Sequence, residues 1–277
     1  MSAKIRLILV AGPTASGKTA RAVDEALKRG GEIISVDSRQ VYRTLDIGTE
    51  KIRPEEMRGV PHHLIDIREP EDSYSAGDFR DDATRFIEDI HARGKIPILA
   101  GGTHFYFDAL LRGIPEAVPT NPALQSELAD VSSEELFARL QKLDPRRAVE
   151  LDPKNRRRLL RALEIIEAKG SVPERESLTE KYEVEWIVLN PEAEELKPRI
   201  EARLEEALEK GLIEEVRRTR ERVGDARLNE LGLEYRIVGE YLRGEREEAS
   251  LLPSLNAKLW QYARRQKAWL RKLSALV

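Results

Sequence analysis

The segment Gly12-Pro13-Thr14-Ala15-Ser16-Gly17-Lys18-Thr19 constrains the fold of this chain more than any other part of the sequence. It matches the pattern G-x-x-x-x-G-K-[ST]. It follows the apolar run at residues 5–10 and precedes an amphipathic stretch from Lys18 to about Arg29. A strand, a glycine-rich turn and a helix in this order form a phosphate-binding loop. The pattern therefore predicts an α/β domain that binds a phosphorylated ligand.

The residues of this loop that we expect to bind phosphate are Gly12, Thr14, Ala15, Ser16, Gly17, Lys18 and Thr19. Glycines let backbone N–H groups converge on phosphate oxygens, and the helix N-terminus adds a partial positive charge. Lys18 supplies a full charge, and the hydroxyl of Thr19 is predicted to bind a Mg2+ ion shared with the phosphates. A tight turn that binds no ligand is the alternative, which the flanking strand and helix disfavour.

The first 112 residues alternate short apolar runs with amphipathic segments. The runs at residues 5–10, 32–37 and 96–100 predict buried strands, and residues 63–67 are a further candidate. Residues 78–93 have the apolar spacing of a helix. Near-continuous apolar strands separated by helices are typical of a parallel sheet covered on both faces. We expect a P-loop NTPase-like α/β fold, with a doubly wound parallel sheet.

The character of the sequence changes after Gly113. Residues 114–123 contain three prolines and predict a linker, and the following residues predict short helices. A strand candidate returns at residues 184–189, and long helices follow from Ala193 onward, with breaks near Gly211, Gly224 and Pro253. We therefore predict an α/β core made of residues 1–113 and 182–277, with a helical insertion at residues 114–181.

Composition excludes several classes of protein. The chain has no cysteine, which excludes disulfides, thiolate metal sites and a cysteine nucleophile. Its apolar runs are shorter than the ~18 residues of a membrane helix. The amino terminus lacks the pattern of a signal peptide. We expect a protein of the cytoplasm that does not associate with a membrane, and we expect a monomer.

Two basic clusters stand out although the net charge is only -3. Residues 154–161 contain five bases and no acid, and residues 256–277 contain six bases and no acid. Such clusters are compatible with solvated helix faces and also with binding of a nucleic-acid backbone. Charge alone leaves both interpretations open.

Asp37 is the acid best placed to act beside the phosphate loop, because it stands at the carboxyl end of a predicted strand. The strand at residues 96–100 ends in Gly101-Gly102-Thr103 and offers no acid, and Asp66 is a second candidate. Ligands of open α/β sheets bind at the carboxyl ends of the strands, so Asp37 and Thr103 are predicted to face the phosphate loop. The alternative makes Asp37 a helix N-cap and Thr103 a turn residue.

Several segments together resemble the tRNA dimethylallyltransferases in order and spacing, over nearly the whole chain. They are the phosphate loop, Ser35 to Tyr42, Asp46 to Thr49, Val60 to Asp66, Tyr74 to Phe79, Gly101 to Thr103, Arg158 to Glu164, Arg199 to Arg203 and Tyr262 to Arg271. Two segments depart from the family's pattern: Thr103 is followed by His104-Phe105-Tyr106, and Gly232 is followed by Leu233-Glu234-Tyr235. The insertion is also short.

This resemblance implies transfer of a dimethylallyl group from dimethylallyl diphosphate to N6 of the adenosine immediately 3′ of the tRNA anticodon. The phosphate loop would then hold the allylic diphosphate, with Lys18 and Mg2+ stabilising the leaving group. Asp37 would accept the proton of the adenine amine, and Thr103 would hydrogen-bond the oxygen that joins carbon to phosphate. Arg199 would add positive charge beside the diphosphate.

The resemblance also implies a surface that holds the anticodon stem-loop. Asp37, Ser38, Arg39, Gln40 and Thr103 match the stretches that contact the extruded base. Arg157, Arg158 and Arg161 match the tRNA-contacting helix, and the insertion would close over the anticodon stem. Arg264 and Arg265 are placed to touch the stem, whereas Trp269 is expected to pack in the core. His62, His63 and His104 are expected to have structural roles.

Three other functions remain open at this point. The first is prenyl transfer to a free adenine nucleotide, which would not need the two basic clusters. The second is a small-molecule kinase that would use Asp37 as a base toward a hydroxyl group. The third is a non-catalytic RNA-binding protein, which the intact Lys18, Thr19 and Asp37 disfavour.

Overall fold

The computed structural model describes residues 4–114, 118–174 and 179–274, and the predicted linker at residues 114–123 lies partly outside them. The chain divides into two compact units. The first contains Met1–Leu111 and Leu178–Val277, and the second is Arg112–Ser177. The division falls near the predicted boundaries at residues 113–114 and 181–182. In the described part of the chain, no helix has the length and apolar character needed to cross a membrane.

The first unit contains a five-stranded sheet in the order β3-β2-β4-β1-β5, in which every pair of neighbours is parallel. This confirms the predicted fold class. The strands are β1 (Ile5–Ala11), β2 (Gly31–Val36), β3 (His62–His63), β4 (Ile96–Gly101) and β5 (Tyr182–Val188).

Twelve α-helices are present in the described residues. In the first unit or at its edge they are α1 (Lys18–Arg29), α2 (Pro54–Met57), α3 (Ala76–Ala92), α4 (His104–Arg112), α9 (Ala193–Glu209), α10 (Leu212–Leu228), α11 (Leu233–Leu242) and α12 (Leu251–Ser274). In the second unit they are α5 (Pro122–Glu127), α6 (Ser133–Leu143), α7 (Pro145–Glu150) and α8 (Arg156–Lys169). Short 3-10 helices lie at Thr179–Lys181 and Glu248–Ser250.

Side chains of β1 alternate between the two faces of the sheet, as strand geometry requires. Leu7 and Leu9 pack in a core with Phe79 of α3, whereas Ile8 and Val10 pack in a second core with Val23 of α1. Both faces are therefore covered by helices, which explains why the strand is apolar throughout.

The helices of the carboxyl-terminal half form their own core against the loop that follows β2. Leu196 and Ile200 of α9, Val216 of α10 and Leu255 of α12 contribute to it, and Leu45 of that loop is fully buried among them. Gly224 has a left-handed φ of 73° inside α10, which marks the predicted break there. These contacts bring α9 to α12 beside the carboxyl ends of the strands.

The predicted strand at residues 63–67 is wrong beyond His63. Leu64 and Asp66 have φ values of 63° and 54°, which lie in the left-handed region and end the extended chain. The backbone N–H groups of Asp66 and Ile67 instead bond to the carbonyls of Gln40 and Val41. The segment therefore supports the loop after β2 instead of extending the sheet.

The second unit is a small helical bundle with its own core. Leu136, Leu140, Leu159 and Leu163 are its central buried side chains. Asn155 begins α8 as an N-cap, because its side chain accepts a hydrogen bond from the backbone N–H of Arg158.

Candidate active site

A cavity of about 310 Å³ opens at the carboxyl ends of β1, β2 and β4. Because β4 lies between β1 and β2, the loops that follow the three strands meet there. These loops contribute Lys18, Asp37 and Thr103, while α9 and α12 close the other side with Arg203 and Gln266. The first three were predicted to face one another, and the structure brings them to one cavity.

The phosphate loop has the conformation that the glycine pattern predicts. Gly17 begins α1 with a left-handed φ of 82°. A side chain at Gly12 would place its Cβ 2.5 Å from Ser16 Oγ and 2.9 Å from a carbonyl oxygen, so only glycine fits there. The buried Ser16 Oγ has no hydrogen-bond partner among the described residues. An unpaired buried hydroxyl in such a loop is compatible with a phosphate ligand.

Of the predicted phosphate-binding residues, Thr14, Lys18 and Thr19 line this cavity. Gly12, Ala15, Ser16 and Gly17 form the backbone of the loop and are not among its lining residues. The Lys18 ammonium donates to the carbonyl of Pro13 at 3.2 Å. Burial lowers the pKa of Lys18, and the nearby charge of Asp37 opposes this shift.

Asp37 lies one residue beyond β2 and is half-buried. Its Oδ1 accepts hydrogen bonds from the backbone N–H groups of Arg39 at 2.8 Å and Gln40 at 3.3 Å. No described donor reaches Oδ2. Asp37 therefore stabilises its own turn with one oxygen, as the capping alternative anticipated, although the turn is not a helix. Its other oxygen is available to a ligand in the cavity.

Thr103 joins the loop after β4 to the turn that carries Asp37. Its Oγ1 accepts a hydrogen bond from the backbone N–H of Ser38 at 3.1 Å, and its own N–H donates to the carbonyl of Val36 at 3.1 Å. At Gly101, two residues before Thr103, a side chain would place its Cβ 2.0 Å from the Val36 carbonyl oxygen, so only glycine fits there. Thr103 is thus fixed against the turn that carries Asp37, and its hydroxyl proton makes only a long hydrogen bond, at 3.5 Å, to Ser38 Oγ.

Arg203, and not the predicted Arg199, is the arginine of α9 among the described residues that line the cavity. Its guanidinium bonds to Thr14 Oγ1 and Glu50 and lies 3.9 Å from Glu234, all at the cavity wall. Arg199 lies one turn earlier on α9, pairs with Glu195 at 3.2 Å and is exposed. It is not among the described residues that line the cavity. The arginine that α9 contributes to the cavity wall is therefore Arg203.

Gln266 of α12 was not identified from the sequence. Its side chain is buried and accepts a hydrogen bond from the Thr14 N–H at 2.9 Å. Its amide nitrogen donates to the Gly102 carbonyl at 2.9 Å. Gln266 lies in register with the buried Leu259, Ala263 and Leu270 along one face of α12. A glutamine on such an apolar face is the signal that could have identified it, because buried amides need partners.

Glu215 of α10 organises the segment Asp46 to Thr49, which was noted in the sequence without a physical role. Its buried carboxylate accepts hydrogen bonds from the N–H groups of Asp46, Ile47 and Gly48 at 2.8 to 2.9 Å. It also accepts one from the Tyr235 hydroxyl at 2.6 Å. A side chain at Gly48 would lie 2.8 Å from the Tyr235 ring. This network holds Thr49 and Glu50 at the cavity wall.

The residues predicted to contact the extruded adenine differ in the hydrogen bonds that their side chains make. Ser38, Arg39 and Gln40 all line the cavity. The amide of Gln40 donates to the carbonyls of Thr49 and Glu50 at 3.2 and 3.1 Å, so it fixes that segment. Tyr262 of α12 also lines the cavity and is 40% exposed, and it was not singled out from the sequence.

The basic residues of the second unit also fall into two groups. Arg157 and Arg158 are exposed on α8. Arg161 donates to the buried carboxylate of Glu164 at 2.8 Å and to the carbonyl of Val118. The structure thus gives Arg161 a role within the bundle in addition to the predicted one.

On α12, Arg264 and Arg265 are exposed, as a role in binding requires. Trp269 packs against the main core of the sheet and stacks on His104 with ring centres 4.4 Å apart, as expected for a core residue.

The three predicted structural histidines are packed or paired. His63 bonds to Glu32 at 2.8 Å, and His62 contacts the carbonyl of Val60 at 2.8 Å. His104 is buried, and burial together with the charge of Lys18 lowers its pKa to about 4. It is therefore neutral near pH 7. The second acid considered, Asp66, pairs with Lys51 at 2.6 Å and is not among the cavity-lining residues described.

Comparison with known proteins identifies the family. The family model for IPP transferase matches residues 40–273. The tRNA dimethylallyltransferase of Thermomicrobium roseum is 42% identical over 99% of this chain and 85% of that protein. The enzyme of the same name from Streptococcus sanguinis is 40% identical over 97% of this chain and 90% of that protein.

Solved structures agree with these matches. The full-length tRNA isopentenylpyrophosphate transferase of Bacillus halodurans is 38% identical with a TM-score of 0.73, covering 97% of this chain and 87% of that one. A eukaryotic dimethylallyltransferase acting on tRNA is 27% identical with a TM-score of 0.78, covering 97% of this chain and 70% of that one. The chain belongs to the IPP transferase family.

Proposed function

We propose that this chain is a tRNA dimethylallyltransferase. It transfers the dimethylallyl group of dimethylallyl diphosphate to N6 of the adenosine immediately 3′ of the anticodon and releases diphosphate. One observation carries the proposal: in a member of this family, the free oxygen of Asp37 and the phosphate loop line a single cavity. Its relatives of the same name support the substrate pair.

The diphosphate binds on the side of the cavity formed by the phosphate loop. Thr14, Lys18 and Thr19 face it there, and α9 adds the guanidinium of Arg203, which pairs with Glu50 in the free protein. When the bond between the allyl carbon and oxygen breaks, negative charge grows on the diphosphate. Fixed cations and N–H donors stabilise that charge best in a site from which water is partly excluded.

Asp37 acts as the general base toward the adenine amine. The lone pair of this amine is delocalised into the ring, so the nitrogen is a weak nucleophile. As the new carbon–nitrogen bond forms, one amine proton moves to Oδ2 of Asp37. Oδ1 remains bonded to the N–H groups of Arg39 and Gln40, which keeps the carboxylate in place. Such proton transfer typically contributes ~10²–10⁴-fold to the rate.

The Thr103 hydroxyl donates a hydrogen bond to the oxygen that joins the allyl carbon to phosphate. Its Oγ1 already accepts from the Ser38 N–H, so the remaining proton points elsewhere, and only a weak contact at 3.5 Å to Ser38 Oγ competes for it. A hydrogen bond to the leaving oxygen strengthens as charge develops, so Thr103 favours departure of the diphosphate.

Magnesium is part of this proposal, with Thr19 as its protein ligand. Among the described residues, no group of three or more acidic or histidine side chains forms a metal site. Mg2+ commonly keeps several waters and binds through substrate phosphates with few protein ligands, so a single hydroxyl beside a diphosphate fits it. The ion would supply charge neutralisation of the leaving group.

The tRNA presents an extruded adenosine to the cavity. Ser38, Arg39 and Thr103 line the opening near Asp37, and the exposed Tyr262 offers an aromatic face there. Recognition of unstacked RNA bases commonly uses such aromatic and arginine side chains. The exposed Arg157, Arg158, Arg264 and Arg265 would bind phosphates of the anticodon stem-loop. We propose action on tRNA in the cytoplasm, by a monomer.

A transfer assay with different acceptors tests this function. The protein and Mg2+ are incubated with labelled dimethylallyl diphosphate and an unmodified tRNA, AMP or ATP. We expect label on the tRNA alone. Label that appears only on the free nucleotide would indicate the related nucleotide prenyltransferase activity. Transfer of phosphate from ATP to a small molecule would indicate a kinase.

A further inference from the structure

Gln266 connects two of the three loops that form the cavity. The oxygen accepts from the Thr14 N–H and the nitrogen donates to the Gly102 carbonyl, each at 2.9 Å. The residue is only 5% exposed. Both polar ends of the amide are therefore engaged with backbone groups, one in the phosphate loop and one beside Thr103.

Close packing around the amide makes this connection specific. A side chain at Gly102 would place its Cβ 2.7 Å from the Gln266 nitrogen, so the glycine permits the close approach. The same Cβ would lie 3.5 Å from the Lys18 side chain. The amide thus sits where the phosphate loop, the loop after β4 and the lysine that faces the diphosphate come together.

We propose that Gln266 is a positioning residue that sets the spacing between the diphosphate-binding loop and the loop that carries Thr103. This inference rests on the proposed function. Thr103 is bonded in turn to the turn that holds Asp37, so one amide links the site of the leaving group to the site of attack. Gln266 lines the cavity, and its two bonds to backbone groups give it this positioning role without requiring contact with either substrate.

The spacing matters because the allylic carbon must lie between the leaving oxygen and the attacking nitrogen. Displacing one loop by about 1 Å is enough to cost on the order of 10²-fold in rate. Binding of tRNA depends less on this relation, since most of the proposed tRNA contacts lie outside the two loops that Gln266 connects. Loss of the amide is therefore expected to act on kcat more than on the KM for tRNA.

Two substitutions separate hydrogen bonding from other effects. Gln266→Met keeps an unbranched side chain of similar length but removes both bonds without adding charge. Gln266→Glu keeps both bonds only while the new carboxyl is protonated, because its O–H can then donate to the Gly102 carbonyl. When that carboxyl ionises, two oxygens face each other and the bond to Gly102 is lost. Burial raises the pKa of such a carboxyl, which brings the transition toward the assay range.

Matched controls are Gln261→Met and Gln261→Glu, which make the same changes at an exposed position of the same helix. We expect kcat of Gln266→Met to fall by about 10²-fold, with the KM for tRNA unchanged. For Gln266→Glu, the ratio of its kcat to that of the unsubstituted protein should rise as the pH is lowered. Both controls should keep a ratio that does not change with pH. Thermal unfolding of each variant sets an assay temperature at which all are folded.

Two results would overturn the inference. One is a Gln266→Met protein with unchanged kcat, and the other is a Gln266→Glu protein whose kcat ratio is independent of pH. Should the methionine variant fail to fold, the pH profile of the glutamate variant still decides. Calorimetric titration with inorganic pyrophosphate provides a readout without transfer: the affinity of Gln266→Glu should approach that of the unsubstituted protein only at low pH. Failure of the unsubstituted protein to modify tRNA would instead contradict the proposed function.

Discussion

The hydroxyl oxygen of Thr103 accepts a hydrogen bond from the backbone N–H of Ser38 at 3.1 Å, which joins the loops that follow β4 and β2. Ser38 directly follows Asp37, whose Oδ1 is held by the N–H groups of Arg39 and Gln40. The turn that carries Asp37 is therefore held by Thr103 and by the Oδ1 atom of Asp37 itself, and Asp37 lines the cavity. This arrangement fits the general base proposed here, because one carboxylate oxygen stabilises the turn and the other has no described donor.

Substitution Asp37→Asn tests the role of this carboxylate. An asparagine oxygen can still accept from Arg39 and Gln40, so the turn should persist, but the side chain can no longer take a proton. We expect kcat to fall by at least ~10²-fold with tRNA affinity nearly unchanged. Asp66→Asn is the matched control and should remain active. A collapse of tRNA affinity in Asp37→Asn would make Asp37 a binding residue instead.

Arg203 and Arg199 can be compared directly, since they lie one turn apart on α9. Arg203→Gln removes a charge from the cavity wall, and a charged hydrogen bond lost at the diphosphate should weaken it by about 10- to 100-fold. Pyrophosphate affinity measured by calorimetry reports the change. Arg199→Gln breaks only an exposed pair with Glu195 and should leave the affinity unchanged. An equal loss of pyrophosphate affinity in both variants would contradict a role in diphosphate binding that belongs to Arg203 and not to Arg199.

Glu215→Gln should destabilise the protein. The carboxylate accepts four hydrogen bonds, two on each oxygen. In glutamine an NH2 group replaces one of these oxygens, so it would face two donors and accept from neither. Loss of one or two such bonds to a buried charged group costs about 2–4 kcal/mol of unfolding free energy. Urea unfolding measures this loss. The neighbouring Glu214 is 58% exposed, and Glu214→Gln should change stability little. Similar midpoints for the two variants would refute the role given to Glu215.

His104 should make stability depend on pH. Its pKa is about 4 in the folded protein and near 6.5 when unfolded, so the unfolded state binds more protons between these values. The free energy of unfolding should therefore fall as the pH is lowered from about 6.5 to about 4, by up to roughly 3 kcal/mol. Thermal unfolding of His104→Asn should show a smaller fall over this range. An identical pH dependence in both proteins would contradict a buried neutral histidine.

The exposed arginines of α8 should contribute to the salt dependence of tRNA binding. Replacing Arg157 and Arg158 with alanine should reduce the slope of log affinity against log salt by up to about 2. Filter binding at several salt concentrations measures the slope. Arg161→Ala breaks the bond to Glu164 and should mainly lower stability. An unchanged slope in the alanine variant would indicate that these arginines of α8 form a solvated helix face and do not bind tRNA.

Local sequence was enough to predict which loops form the site. The positions of Lys18, Asp37 and Thr103 follow from strands that end in a common edge, and parallel strands place those ends together. The short extent of β3 escaped prediction because a left-handed backbone is rare for a leucine such as Leu64. Aspartate adopts this conformation more often, but Asp66 alone does not signal the end of a strand.

The residues that the helices α9, α10 and α12 contribute to the site and its support were harder to predict from sequence. Arg199 and Arg203 both border the apolar face of α9 formed by Leu196 and Ile200, so periodicity does not choose between them, and only the tertiary position of the helix does. Gln266 and Glu215 were detectable in principle, because each is a polar residue on an otherwise buried helix face. Their partners, backbone groups more than 160 residues distant in sequence, were not.

The most direct test of the account is to locate the transferred group within the RNA. Anticodon stem-loops are reacted with labelled dimethylallyl diphosphate, digested to nucleosides and separated, with a matched stem-loop that carries inosine in place of the adenosine next to the anticodon. We predict that all label is recovered as N6-dimethylallyladenosine and that the inosine stem-loop, which lacks the amine, receives none. Label on the inosine stem-loop, or on any other nucleoside, would contradict attack by that amine beside Asp37.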